Sequence, residues 1–194
     1  VAASIITGQT AETSIATDDT VLIHDTSAGA LRKMTRANFV SGIGGDNTPY
    51  FSALKTSNQT VNHNTNTKIT YDSVETESSS GVFDLTNNKF TCATAGKYCF
   101  QVKTTFFDTS NNLDRMDCYI YKNGSQNRKE IFFDNGGNIR EFCITVSWIE
   151  DVSVSDYYEL YAYATTTDSG SYVVAASASG SAKETYFSAF KLIT

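Results

Sequence analysis

In run after run between residues 50 and 194, apolar side chains fall on every second position, and no segment there sustains a helical period. In KYCFQV, Tyr98, Phe100 and Val102 share one face. In MDCYIY, Met116, Cys118 and Ile120 oppose Asp117, Tyr119 and Tyr121. In EFCITVSW, Phe142, Ile144, Val146 and Trp148 oppose Cys143, Thr145 and Ser147. Alternation of this kind belongs to strands with one buried face. Polar turn clusters separate the runs, at 86–88, 108–114, 122–127 and 134–138. Many short strands so spaced predict an all-β sandwich or jelly roll over residues 46–194.

One strand departs from the usual pattern. In DYYELYAYAT, Leu160, Ala162 and Ala164 suit the core, which leaves Tyr157, Tyr161 and Tyr163 on the opposite face. A water-facing sheet surface is ordinarily polar. Tyrosine packs its ring while its hydroxyl finds a partner, so this face, with Tyr119 and Tyr121, is expected to be a contact with further copies of the chain.

Residues 1–45 follow a different plan. A short strand is expected at Val21–Ile23, a turn at Ser27-Ala28-Gly29 and a second strand at Ala30–Met34. Thr35 suits the N-cap of a short helix from Arg36 to Ile43, stopped by Gly44-Gly45. A piece this small cannot bury Ile5, Ile6, Leu22, Leu31 and Phe39 alone, and self-association is the simplest remedy. GGDNTP, at 44–49, reads as the boundary. The opening VAASIITGQT carries neither Met nor a signal-type segment, which reads as a piece of a longer chain.

Charge and composition narrow the function. The net charge is −6, and Lys and Arg are not clustered, which argues against nucleic acid and against anionic membrane surfaces. No apolar run approaches the roughly 20 residues of a spanning helix, so no membrane insertion is expected. Four cysteines, Cys92, Cys99, Cys118 and Cys143, lie inside strand-like runs without metal-ligand spacing, and are expected as buried free thiols.

The order of motifs resembles the complement C1q-like globular domain. In GVFDLTNNKFTCATAGKYCF, Gly81, Phe83, Asp84, Phe90, Thr91, Gly96, Tyr98 and Phe100 match its signature. FSALKTSNQT at 51–60, YIYKNG at 119–124 and YFSAFKLI at 186–193 are similar to its first, central and closing strands. Cys92-Ala93 and Ala189 depart from its usual Ala-Pro and Gly. The resemblance implies a jelly roll of about ten strands, akin to tumour necrosis factor, that forms a homotrimer. It further implies that Phe83, Phe90, Tyr98 and Phe100 anchor the core. Some relatives hold calcium, which makes Asp134 and Asp168 donors for a structural ion; no other cofactor is expected.

DDTVLIHDTSAGALRKMTRANF resembles linker modules of bacteriophage tail fibres, through Asp19, Leu22, Asp25, Gly29, Leu31, Lys33, Thr35 and Asn38. No collagen-like Gly-X-Y repeat accompanies the head. The combined resemblance implies a virion appendage acting outside the cell, with other tail-fibre proteins as neighbours.

An enzyme is not expected. His24 and His63, the only histidines, lack a nucleophile in a catalytic context, and Glu75/Glu77 and Glu150/Asp151 read as solvated rims. Recognition remains. Loops 122–139 and 166–183 are expected to point away from residue 50, with Asp134, Asn135, Asn138, Asp168, Ser169 and Tyr172 forming a receptor surface. Its amides and hydroxyls would bond a host-surface glycan, or a protein, and Tyr172 would stack on a sugar. A purely structural or decoration trimer of a virion and a secreted module of the same type are the alternatives.

Overall fold

The computed structural model describes residues 16, 18–40, 47–134, 136–176 and 183–193. The chain forms two compact units, Val1–Asp46 and Asn47–Thr194.

In the first unit, β1 (Thr20–Asp25) and β2 (Ala30–Thr35) form an antiparallel hairpin followed by helix α1 (Arg36–Val40). Asp25 shapes the turn by accepting hydrogen bonds from the Ser27 N–H at 3.0 Å, the Ser27 hydroxyl at 2.6 Å and the Ala28 N–H at 3.1 Å. Gly29 then supplies the positive φ of 61° that closes it. Thr35 caps the helix, its hydroxyl accepting from the Asn38 N–H at 3.3 Å. The end of the helix expected at Ile43, its Gly44-Gly45 stop, and Ile5 and Ile6 lie outside the described residues. Leu22 and Leu31 stay two-thirds exposed and Phe39 half exposed, as a piece too small for its own core requires.

Among the described residues the second unit contains thirteen strands: β3 (Tyr50–Leu54), β4 (Gln59–Val61), β5 (Thr67–Lys68), β6 (Ser73–Glu77), β7 (Phe83–Asp84), β8 (Lys89–Thr91), β9 (Gly96–Phe107), β10 (Leu113–Lys122), β11 (Ser125–Phe133), β12 (Glu141–Val152), β13 (Tyr157–Thr166), β14 (Tyr172–Val174) and β15 (Tyr186–Lys191). The excess over ten comes from pieces of two or three residues. They make two sheets. One runs β11-β10-β13-β8-β7, with β5 also on β13; the other runs β4-β14-β9-β15-β3-β6, with β12 on the far side of β9. The first and last strands, β3 and β15, lie side by side, so the segment entering at residue 47 and the closing strand meet at one end.

The two sheets enclose one aromatic core. Phe51 lies 5.1 Å from each of Phe83, Phe90 and Phe187, and Phe100 lies 4.7 Å from Trp148 and 4.6 Å from Tyr158. Phe83, Phe90, Tyr98 and Phe100 are all buried, as the signature implied. The alternation is reproduced strand by strand: Tyr98, Phe100, Val102, Met116, Cys118, Ile120, Leu160, Ala162 and Ala164 face inward. Gly96 suits its place, since its φ of +151° is one that L side chains rarely adopt. Ala189 is accommodated: its methyl is 2% exposed, between Phe51 and Phe100 in register.

All four cysteines are free, but only Cys92 and Cys118 are buried; Cys99 is half-buried and Cys143 exposed, because those two take the outward positions of β9 and β12. Burial pushes the Cys118 thiol up to about 12. The Tyr71 hydroxyl is buried without a hydrogen-bond partner among the described residues.

Candidate binding surfaces

The strand registers fix what lies at each end of the sandwich. Near residue 50 are the turns joining β8 to β9, β10 to β11 and β12 to β13. There Asn123 Nδ2 donates to Asp156 Oδ1 at 2.8 Å and Tyr157 N donates to Asn123 Oδ1 at 2.9 Å. At the distal end are residues 108–112, 134–140 and 167–171. The expected distal loop 122–139 is therefore mostly strand: its Asn123 turn is proximal, β11 spans the molecule, and only 134–139 is distal.

The distal segments pack together. Thr167 N donates to Asn112 O at 2.9 Å, Leu113 N to Ile139 O at 3.1 Å and Asp134 N to Asp114 O at 2.7 Å. Gly137 has a φ of +57°, and a Cβ there would fall 2.1 Å from Thr167 Cγ2. Asp134, Asn138, Asp168 and Ser169 are thus brought to one end, as expected. Their polar atoms, however, serve their own turns. Asp168 accepts from Gly170 N at 2.8 Å and from Asn112 Nδ2 at 2.8 Å, and the Gly170 bond chiefly lowers its pKa. Asp134 Oδ1 accepts from Gly136 N, and Asn138 Nδ2 donates to Gly136 O. Asn135 lies outside the described residues.

Tyr172 is not part of this surface. It is 1% exposed in β14, its ring 5.9 Å from Phe106, and so has no face to offer a sugar. The segment expected as one loop at 166–183 contains this strand because β4 and β9 both pair with it; residues 177–182 lie outside the described residues. Asp134 and Asp168, the donors expected for a structural ion, each accept from a backbone N–H of their own turns. Among the described residues no group of three His, Cys, Asp or Glu gathers to hold a metal.

The five tyrosines share one outer face, on β10 and β13, and all are half-buried. Tyr121 and Tyr161 meet at 4.4 Å with their rings tilted by 38°, and Tyr119 meets Tyr163 edge-on at 6.3 Å. Three of the hydroxyls have partners: Tyr119 donates to Asp117 Oδ2 at 2.7 Å, Tyr163 donates to Asn64 Oδ1 at 2.6 Å, and Tyr121 accepts from Asn66 Nδ2 at 2.8 Å. Asp117 is fully buried on this outer face because Arg115 grips both its oxygens, at 2.8 and 2.7 Å. Burial and donation to Asp117 push the Tyr119 hydroxyl up to about 12. A charged pair thus occupies the middle of the surface expected to be a self-contact.

The outer face of the other sheet differs. Across β12, β9, β15 and β3, one row reads Ser147, Gln101, Ser188, Ser52 and the next Ile149, Cys99, Phe190, Tyr50. None of these eight is charged, although Ile149 is 60% and Tyr50 37% exposed. An open, apolar depression of about 430 Å³ lies at Tyr50, Phe51, Ala189 and Phe190. Charge begins only beyond these rows, with Lys97–Asp151 at one end and Lys103–Glu184 at the other. The signal was present in the outward positions Cys99, Gln101, Thr145 and Ser147, whose lack of charge alternation alone does not flag.

His63 and the carboxylate pairs have structural partners. His63 Nδ1 accepts from Thr166 N at 3.0 Å, Glu77 accepts from Gly81 N and Val82 N, Glu75 pairs with Lys183, and Glu150 pairs with Lys122.

No family model matches the chain, and no curated protein matches it. Solved structures do. The chain is similar to the globular domain of a zebrafish complement 1qA protein, with a TM-score of 0.52 at 12% identity over 75% of this chain and 98% of that one. It is also similar to murine APRIL, with a TM-score of 0.54 at 10% identity over 74% of this chain and 98% of that one. At such identities the likeness is one of fold, and the fold is that of the C1q/TNF-like jelly roll.

Proposed function

We propose that the chain is a non-catalytic binding head that works as a homotrimer, at the tip of a bacteriophage tail fibre or spike, and adsorbs to a glycan on the host surface. The observation that carries the self-contact is the uncharged, partly apolar face of β12, β9, β15 and β3. Interface centres are depleted of charge, whereas free sheet faces are not. The C1q/TNF-like fold supports a binding module, and self-association through this face leaves the tyrosine face directed outward. This assignment replaces the one expected from the tyrosines, whose central Arg115–Asp117 pair would have to be desolvated in a self-contact.

The fibre reading rests on the linker-like pattern of residues 19–38, in which Asp25 and Gly29 build the turn and Thr35 caps the helix. Three identical heads on one fibre multiply weak contacts into avidity where receptor spacing permits. The test is competition: purified full-length protein is added to candidate host cells before phage. The reading predicts that the trimer blocks adsorption and that a folded single-chain variant, Ser147→Lys with Ser188→Lys, does not. Equal blocking by that variant counts against it, and no blocking on any bacterial host favours a purely structural trimer.

A further inference from the structure

The outer face of β10, β11 and β13 joins aromatic rings to charges that cancel. Tyr121 and Tyr161 have ring centroids 4.4 Å apart, Tyr119 and Tyr163 6.3 Å apart, and Tyr119 stands across from Tyr161 in register, so the four rings form one patch. Tyr157 extends it along β13, six residues from Tyr163 and about 20 Å away at strand rise. The charges beside the rings are matched. Arg115 is held by Asp117, Lys68 pairs with Glu159, and Lys89 stands directly across from Asp84. Of the basic groups on this face only Lys129 has no carboxylate partner among the described residues; it lies 5.6 Å from the centroid of Tyr119. Asp114, which accepts from the Thr165 hydroxyl at 3.2 Å, offsets it at the distal end of β10. The face therefore carries aromatic area without a surplus of either sign.

Its polar atoms are held in place with capacity to spare. Asp117 is fully buried and accepts from Tyr119 and from two of the five N–H donors of Arg115, whose side chain is 33% exposed and lies 5.2 Å from the Tyr163 ring. Asn64 accepts from Tyr163 through its carbonyl, which leaves its NH2 group; Asn66 donates to Tyr121 through its NH2 group, which leaves its carbonyl.

From this juxtaposition we infer that the outer face of β10, β11 and β13 binds an uncharged polysaccharide, with the four paired tyrosines as its platform and Arg115, Asn64 and Asn66 as its hydrogen-bonding rim. Sugar rings present C–H faces to aromatic rings and carry hydroxyls, each both donor and acceptor, at their edges. The face presents flat area at its centre and both donors and acceptors beside it. A charged polymer gains nothing from a face whose charges already cancel. A second copy of the chain would strip water from the Arg115–Asp117 pair, a desolvation cost that sugar hydroxyls avoid by taking the place of that water. The length of the patch suits several sugars in a row rather than one. The inference deepens the adsorption reading and rests on it for the biological source of the polymer, but not for binding itself.

The experiment applies the full-length protein to an array of neutral, carboxylated and sulfated glycans at low and physiological salt, and titrates the strongest neutral binder by calorimetry. Binding of neutral glycans, little changed by salt, is expected. Tyr121→Leu with Tyr161→Leu keeps apolar area but removes two flat rings, and is expected to weaken binding on the order of 10-fold. Asn66→Ala, at an exposed position, is expected to weaken it several-fold, as loss of one hydrogen bond does. Lys129→Gln, which removes the unmatched charge, is expected to stay within about twofold of wild type. Trp148 emission and the urea midpoint report whether each variant is folded. Failure to bind any neutral glycan, preference for acidic glycans, or full binding by the folded double Leu variant overturns the inference; if that variant does not fold, full binding by Asn66→Ala overturns it. So does a change of solution mass in the folded double Leu variant, since the face is then a self-contact. If the wild type binds a neutral glycan through these rings but blocks no phage, the adsorption reading fails and this surface stands. If the double Leu variant loses the glycan but still blocks phage, adsorption uses another surface and the glycan site again stands.

Discussion

Truncating Phe100 tests how the two sheets are held together. Its ring is fully buried, on β9, within 4.7 Å of Trp148 in the same sheet and 4.6 Å of Tyr158 in the opposite one. It also lies 6.1 Å from Phe90 and from Tyr98, so neighbouring rings cannot all collapse into the gap. Phe100→Ala is therefore expected to cost about 3–5 kcal/mol, a transfer term plus a cavity term. For a chain of this length that is a fall in Tm of about 6–20 °C. Trp148 is the only tryptophan, and it stacks on the deleted ring, so its emission reports on this contact directly. The assay is urea unfolding followed by that emission at fixed protein concentration, since assembly adds to apparent stability. Phe133→Ala is the control: the same chemistry at a 58% exposed site should stay within about 0.5 kcal/mol. Two variants with the same midpoint would refute the claim that this ring cluster joins the sheets.

Other outcomes follow from single groups. Tyr71→Phe removes a buried hydroxyl without a partner among the described residues and is expected to raise stability by about 1 kcal/mol, read by urea midpoint; a loss of stability would mean the hydroxyl is satisfied. Burial holds the hydroxyls of Tyr71, Tyr98, Tyr158 and Tyr172 above their ordinary value of 10.0, so the unfolded chain gives up these protons first. Their contribution is whole below pH 10 and is lost as pH climbs above it, which alkaline unfolding should show and the quadruple Phe variant should lessen. Hydrogen bonds from Asn123 and Ser153, with Lys122, hold Asp156 at about 2, against 3.8 ordinarily. Its stabilisation is present above pH 3.8 and lost as pH falls toward 2; Asp156→Asn should flatten that part of the acid unfolding curve.

How far the sequence discloses this molecule depends on how local each feature is. Core faces of β9, β10, β12 and β13 are legible because one residue in two is apolar, and that pattern needs no partner strand to be read. The hairpin turn and the Thr35 cap are legible for the same reason, since Asp25, Gly29 and Thr35 act within three or four positions. β11 is not: SQNRKEIFF is polar along most of its length, and it becomes a strand because β10 pairs with it. Tyr172 sits among small polar residues and is drawn inward only by β4 and β9, over a hundred and over sixty positions away in sequence. The uncharged face was equally hidden. Ser52, Gln101, Ser147 and Ser188 come into one row through four strands scattered along the chain, and nothing in any one strand marks them as neighbours. The tyrosines announce themselves, but the Arg115–Asp117 pair that makes their face a poor self-contact depends on side-chain geometry.

The most direct test of the account is the mass of the full-length protein by sedimentation equilibrium at micromolar concentration, beside that of the Ser147→Lys, Ser188→Lys variant. The account predicts three chains for the first and one folded chain for the second, its Trp148 emission unchanged. A wild-type protein that sediments as a single chain, or a double variant that stays trimeric, contradicts it.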